Sequence, residues 1–213
     1  FDLRGFAGSG SAVYLDDVRL NDPRNNAVSL ETVPIDAVER VEIVRGSAAA
    51  VAGAGAEAGI VRIVTRRGTE PALSFVAASG SEGRTRWGAE AGGRAAGFDA
   101  FASVSYDDTD GFRENAGGRS TRLAASAGRE LAAGRLELSL ASTDQRWGNP
   151  GALTLDEWES DPSAAPYNRL DRSSTDARVA ALRWRGAGTE KFSYAASLGF
   201  RDAASEVLST GRA

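Results

Sequence analysis

The 213-residue chain contains no cysteine, no histidine and no methionine, and Lys191 is its one lysine. Without cysteine there is no disulfide framework, no thiolate nucleophile and no Cys-rich zinc site. Without histidine the usual general base and the usual transition-metal ligand are missing. Paired carboxylates remain, but most catalytic constellations are excluded, and nothing in the composition calls for a cofactor. Lys and Arg total 25 against 29 Asp and Glu, a net charge of −4, so the basic face that nucleic acid requires is absent. No apolar run approaches the roughly 20 residues of a transmembrane helix, and no signal-peptide pattern opens the chain. A protein that crosses a membrane with strands shows neither feature, because lumen-facing and lipid-facing residues alternate. The chain opens on Phe1 and has no initiator methionine, so further sequence is expected at both ends.

Two regions obey different patterns, with the boundary expected in the polar stretch Arg66-Arg67-Gly68-Thr69-Glu70-Pro71. In the first, Ala12–Leu15 and Val18–Leu20 flank Asp16-Asp17, which reads as a tight hairpin turn. Ser29 is placed to cap a short helix that Pro34 stops. Val41–Val44 and Ile60–Val64 are β-branched runs bounded by glycine and read as strands, and the alanine-rich stretch 47–51 between them reads as a short helix. Residues 1–70 are thus expected to form a small α+β unit.

From residue 71 to 213 the period is two. Phe98, Ala100, Ala102, Val104 and Tyr106 alternate with Asp99, Ser103 and Ser105. Phe192, Tyr194, Ala196, Leu198 and Phe200 alternate with Ser193, Ser197 and Arg201. Leu136, Leu138 and Leu140 repeat the pattern, as do Leu182 and Trp184. Short connections near residues 95–97, 132–134 and 186–189 alternate with long ones at 107–120 and 146–176. A soluble sandwich shares the alternation of residues; the alternation of connection lengths favours an outer-membrane barrel, with short periplasmic turns and long extracellular loops. Thr154 and Glu157 form a capping box that orders part of the longest loop.

Two motifs point elsewhere and are weak. Gly53, Gly55 and Gly59 are spaced one residue too widely for a dinucleotide-binding loop, and a strand follows them instead of a helix. Asp107, Asp108 and Asp110 precede Gly111 as in a calcium loop, but the closing glutamate is missing.

Val38-Glu39-Arg40-Val41-Glu42-Ile43-Val44-Arg45-Gly46 followed by 47–53 resembles the plug signature of TonB-dependent outer-membrane receptors. So do Leu3-Arg4-Gly5-Phe6, the hairpin Val13–Val18, and Ala58-Gly59-Ile60-Val61-Arg62-Ile63-Val64-Thr65. The chain departs from the family pattern at Ser47, where a proline is usual, at Ala52, where a tyrosine is usual, and at Ala58-Gly59, where paired glycines are frequent. Asp110-Gly111-Phe112-Arg113 with Asn115 is similar to the family's first long extracellular loop.

The resemblance implies residues 1–70 as the C-terminal half of a plug. Residues 71–213 would then be about seven antiparallel strands, an incomplete transmembrane β-barrel out of the roughly 22 strands of the class, with the apolar face turned to outer-membrane lipid. It implies uptake of a scarce ligand, a ferric siderophore first and cobalamin or another small molecule next, coupled to the inner-membrane TonB complex through a segment outside this chain. Ligand contact is expected at Gly8, Ser9 and Gly10 and at Arg24, Asn25 and Asn26. Arg4 and Arg45 match the two plug arginines that pair with barrel glutamates. Those glutamates lie beyond this chain, so both arginines are expected together on the barrel-facing side of the plug without them. The alternative is a soluble or surface-exposed β-rich binding module without transport.

Overall fold

The computed structural model describes residues 2–3, 6–7, 10–46, 53–186, 188 and 192–210, and the statements below concern those residues. The helix expected over 47–51 lies outside them, as do Arg4, Gly8 and Ser9.

After the short antiparallel pair β1 (Asp2–Leu3) and β2 (Phe6–Ala7), a four-stranded sheet organises the first region. It consists of β3 (Ser11–Leu15), β4 (Val18–Arg19), β5 (Val38–Arg45) and β6 (Gly59–Thr65), in the order β4-β3-β6-β5. β3 and β6 run parallel while the outer pairs are antiparallel. The β3–β4 turn is Asp16-Asp17, as the sequence indicates. Asp16 sits at φ 52°, a left-handed conformation that aspartate tolerates, and its carboxylate accepts from the Thr65 backbone N at 3.0 Å and the Thr65 Oγ1 at 3.0 Å. Val13, Leu15, Leu20, Val33 and Ile63 form the small core. The segment before Pro34 differs from expectation. It is a 3-10 turn, Leu30–Thr32, followed by a second at Ile35–Ala37, and Ser29 makes no side-chain cap. Instead the Thr32 hydroxyl donates to the Ser29 carbonyl at 2.7 Å, a local side-chain bond that competes with regular helix.

The second region is an antiparallel meander of seven strands. These are β7 (Ala72–Ser79), β8 (Thr85–Ala95), β9 (Phe98–Thr109), β10 (Gly118–Leu131), β11 (Gly134–Gly148), β12 (Arg172–Gly186) and β13 (Ala195–Leu208). No helix is long and apolar enough to cross a membrane, which says nothing about crossing by strands. The period-two pattern becomes two faces. Leu138 of β11 is the Cα partner of Leu182, which in turn pairs with Leu198, and all three are exposed on the face away from the first region. Trp87 stacks on Tyr106 at 5.7 Å between ring centroids near the long-loop end of this face. Phe98 and Trp184 lie near its short-turn end. Phe98 and Tyr106 are eight residues apart, about 27 Å along a strand, and a tilt of about 40° projects this to about 21 Å across the membrane, within the ~25 Å apolar band of a barrel.

Three boundaries move. The first long loop is only residues 110–117 and the second 149–171, because the strands continue into polar sequence on both sides. β13 starts at Ala195, so Phe192 and Tyr194, expected within it, precede it. There the Gly186 backbone N donates to the Tyr194 carbonyl at 2.9 Å. Finally, Phe101 stands on the polar face of β9 and is buried at 5% exposure against Ala37 and Ala124. An aromatic among lumen-facing serines is a docking contact for the first region.

Candidate functional site

The first region rests on the polar face of the sheet, and two places on it carry chemistry. One is its apex, at the end where the sheet has its long loops. The Gly10 carbonyl accepts from the Ala58 backbone N at 2.9 Å, and the Ala58 carbonyl from the Gly46 backbone N at 3.1 Å. Buried Asn21 ties the loop after β4 to β3: its Oδ1 accepts from the Val13 backbone N and its Nδ2 donates to the Ser11 carbonyl, both at 2.8 Å. Arg19 joins this loop to residues 53–57 by donating to Asn26 Oδ1 at 2.9 Å and to the Ala54 carbonyl at 2.6 Å. Asn26 donates to the Gly55 carbonyl. Loops 21–27 and 53–57 therefore make one surface with Gly10.

Of the expected contact residues, Arg24 and Asn25 are exposed, Asn26 is half-buried in this network, and Gly10 is half-buried beside it. The Arg24 guanidinium bonds to Asp22 at 2.8 Å. These side-chain and backbone bonds from Arg24 lower the Asp22 carboxyl to about 2. Asn25 Oδ1 accepts from the Ala27 backbone N at 3.0 Å. Arg45 ends β5 at the apex, exposed, with Gly59 as its Cα partner. It makes no ion pair with any described residue.

The second place, which the sequence reading missed, is the seam between this region and the sheet. It is dominated by charge. Arg66 forms a two-pronged bond to Glu90 of β8 at 3.1 and 3.0 Å. Arg67 pairs with Glu137 of β11 at 2.8 Å, Arg86 of β8 with Asp36 at 2.7 Å, and Arg183 of β12 with Asp17 through two guanidinium nitrogens. Neutral polar contacts add to these: Thr143 donates to the Thr32 carbonyl at 2.8 Å, Gln145 to the Glu31 carbonyl at 2.9 Å and Ser126 to the Arg66 carbonyl at 2.7 Å. Apolar contacts across the seam among the described residues include Phe101 with Ala37, Ala141 and Val179 against the small core, and Val18 facing Gly199. Gly68 is the crossing point, where an added Cβ would strike the Ala100 backbone. The available signal was the row of charged residues on polar strand faces, Glu90, Glu137 and Arg183, opposite the paired arginines of the boundary.

Above the sheet, the two long loops are joined. Arg113 donates to the carbonyls of Gly151 at 2.6 Å and Ala164 at 2.8 Å, and Asn115 to that of Asp171 at 2.7 Å. Buried Asp171 accepts from the Thr210 backbone N at 2.7 Å. Thr210 and Asn168 together hold its carboxyl down at about 2. The capping box stands as expected: Thr154 N donates to Glu157 Oε2 at 2.7 Å, at the start of the helix Leu155–Ser160.

A strand-built sheet with an apolar outer face, aromatic residues near both ends of it, and a small α+β unit held by charge against its inner face defines a plugged outer-membrane β-barrel. Residues 1–60 match the TonB-dependent Receptor Plug Domain family, and the chain is part of a TonB-dependent receptor of the bacterial outer membrane. The vitamin B12 transporter BtuB of Vibrio vulnificus is 36% identical over 63 residues, covering 30% of this chain and 10% of the relative. The vitamin B12 transporter BtuB of Photobacterium profundum is 26% identical over 129 residues, covering 53% and 21%. The crystal structure of the siderophore receptor PiuA from Acinetobacter baumannii superposes with a TM-score of 0.74 at 16% identity, covering 97% of this chain and 30% of that one. The chain thus spans a tenth to a fifth of the curated relatives' length. These relatives are transporters and receptors.

Proposed function

We propose that the complete receptor imports a scarce ligand, a ferric siderophore, across the outer membrane, powered through the inner-membrane TonB complex, and that it catalyses no reaction. In this reading residues 1–70 belong to the plug and 71–213 to the barrel; the start of the seven-stranded sheet at Ala72 supports the division. The observation that carries the proposal is the seam. A domain meant to stay in place would be seated on apolar area, whereas this one is held to the wall mainly by ion pairs and single hydrogen bonds, which water can replace as the plug moves. Gly8, Ser9, Gly10, Arg24, Asn25 and Asn26 are the proposed ligand contacts, since exposed amide, hydroxyl and guanidinium groups suit an oxygen-rich chelate. Arg4 and Arg45 are the proposed latch to wall strands outside this chain.

Cobalamin is the second reading, favoured by the two vitamin B12 transporters among the relatives. Binding of ferric siderophores and of cyanocobalamin to the complete receptor in detergent, followed by TonB-dependent uptake in cells, separates the readings. Saturable uptake of a ferric siderophore that stops without TonB is expected. Uptake confined to cyanocobalamin selects the second reading, and a water-soluble monomer that binds without transport returns the chain to the binding-module class.

A further inference from the structure

At the short-turn end of the seam the charges are arranged for more than fastening. Glu137 on β11 and Arg183 on β12 are direct Cα partners across the ladder, close enough to pair. Both instead reach to the plug, Glu137 to Arg67 and Arg183 to Asp17. Three guanidinium groups, those of Arg67, Arg135 and Arg185, converge on one oxygen of Glu137, Oε1. No described residue donates a hydrogen bond to Oε2. On the plug, Asp17 already has a second partner, Arg62, at 3.4 Å. Asp17, Arg67, Glu137 and Arg183 all line a cavity of about 30 Å³, room for one or two waters and slack for a guanidinium head to turn.

We propose that this cluster is a charge-exchange clasp: as the plug withdraws, Arg183 passes from Asp17 to the unused Oε2 of Glu137, while Asp17 falls back on Arg62. Removing one member of a poorly hydrated ion pair is costly because it strands the other. Here neither wall nor plug is left with a stranded partner from the Asp17–Arg183 bond. Arg67, whose side chain is 30% exposed against 13% for Glu137, is the member released to water. The clasp is therefore firm when seated and has a lowered barrier to leaving. This rests on the plug being the part displaced during uptake, but its test involves no cargo and so fails or succeeds independently of the transported ligand.

Two measurements on the full-length receptor test it. In a structure of Asp17→Asn with the plug seated, Arg183 is expected within hydrogen-bond distance of Glu137 Oε2; Arg183 still directed at residue 17, or into open lumen, overturns the proposal. The second is the rate of urea-driven plug release, followed by a fluorophore at position 25, for Asp17→Asn, Glu137→Gln and the double variant. If Arg183 changes partner, the acceptor contributes only when the donor contact breaks. The double variant then releases faster than the product of the single effects, on the order of tenfold. Simple fastening makes the two effects multiply, and that result would refute the exchange.

Discussion

At the scale of single residues, the apex and the joined long loops make opposite demands on charge. Arg24 is 85% exposed at its side chain while tied to Asp22, so the guanidinium is oriented yet open to a ligand. Replacing Arg24 and Asn25 together with alanine in the complete receptor is expected to weaken ligand binding about tenfold or more, the scale of one or two lost charge-assisted bonds, as measured by titration calorimetry. Unchanged affinity removes these positions from the site. Asp171 works inward. Its carboxyl is lowered to about 2 by Thr210 and Asn168, below the ~3.9 of an unfolded aspartate. The resulting stabilisation is complete above about pH 4 and is lost as pH falls toward 2. Amide protection in residues 168–171 and 209–210, taken relative to the intrinsic exchange rate at each pH, is expected to fall as pH drops through that window and to be constant from pH 5 to 8. Asp171→Asn should lower protection at pH 7 and abolish its loss between pH 4 and 2.

At the scale of elements, Phe101 shows how the wall positions the plug. It is the large apolar side chain on the inner face of β9, buried against Ala37 of the second 3-10 turn. Phe101→Ala is expected to cost about 3–5 kcal/mol, read as a lower urea midpoint for plug release with the barrel strands still resistant. Loss of the barrel itself would mean that Phe101 supports the wall alone. The strands were legible in the sequence because alternation and turn residues are local signals: Phe98–Tyr106, the Leu136–Leu140 run and the Asp16-Asp17 turn all stand where the pattern puts them. Partnership across the seam was not legible. Arg66-Arg67 looked like a polar linker, since nothing local reveals that Glu90 and Glu137, 24 and 70 positions further on, face them. The Ser29 turn failed for a related reason. A cap signature describes one residue's option, and here the Thr32 backbone N, which the Ser29 hydroxyl would have capped, donates to the Ser29 carbonyl together with the Thr32 hydroxyl. The expected ends of both long loops moved because ladder pairing extends past the last apolar residue, whereas β13 starts late because its ladder with β12 begins only at Arg185 and Ala195.

At the scale of the whole molecule, the account stands on which face of the seven-stranded sheet meets lipid. The outer face carries Leu138, Leu182 and Leu198 in adjacent strands, and the inner face carries Glu137, Ser139 and Arg183 toward the plug. A soluble sandwich would bury the first set between two sheets; a barrel immerses it in hydrocarbon. This chain has no cysteine, so a cysteine introduced into it marks a single side chain of this part of the receptor. The most direct test places spin labels at Leu138→Cys, Leu182→Cys, Ser139→Cys and Ala181→Cys in the full-length receptor reconstituted in bilayers, and compares relaxation by dissolved oxygen with relaxation by a water-soluble nickel chelate. Labels at 138 and 182 are expected to respond to oxygen and to be shielded from nickel, while those at 139 and 181 are shielded from both by the plug. Nickel access at 138 or 182, oxygen access at 139 and 181 equal to that at 138 and 182, or protection of 138 and 182 from oxygen, would contradict the account.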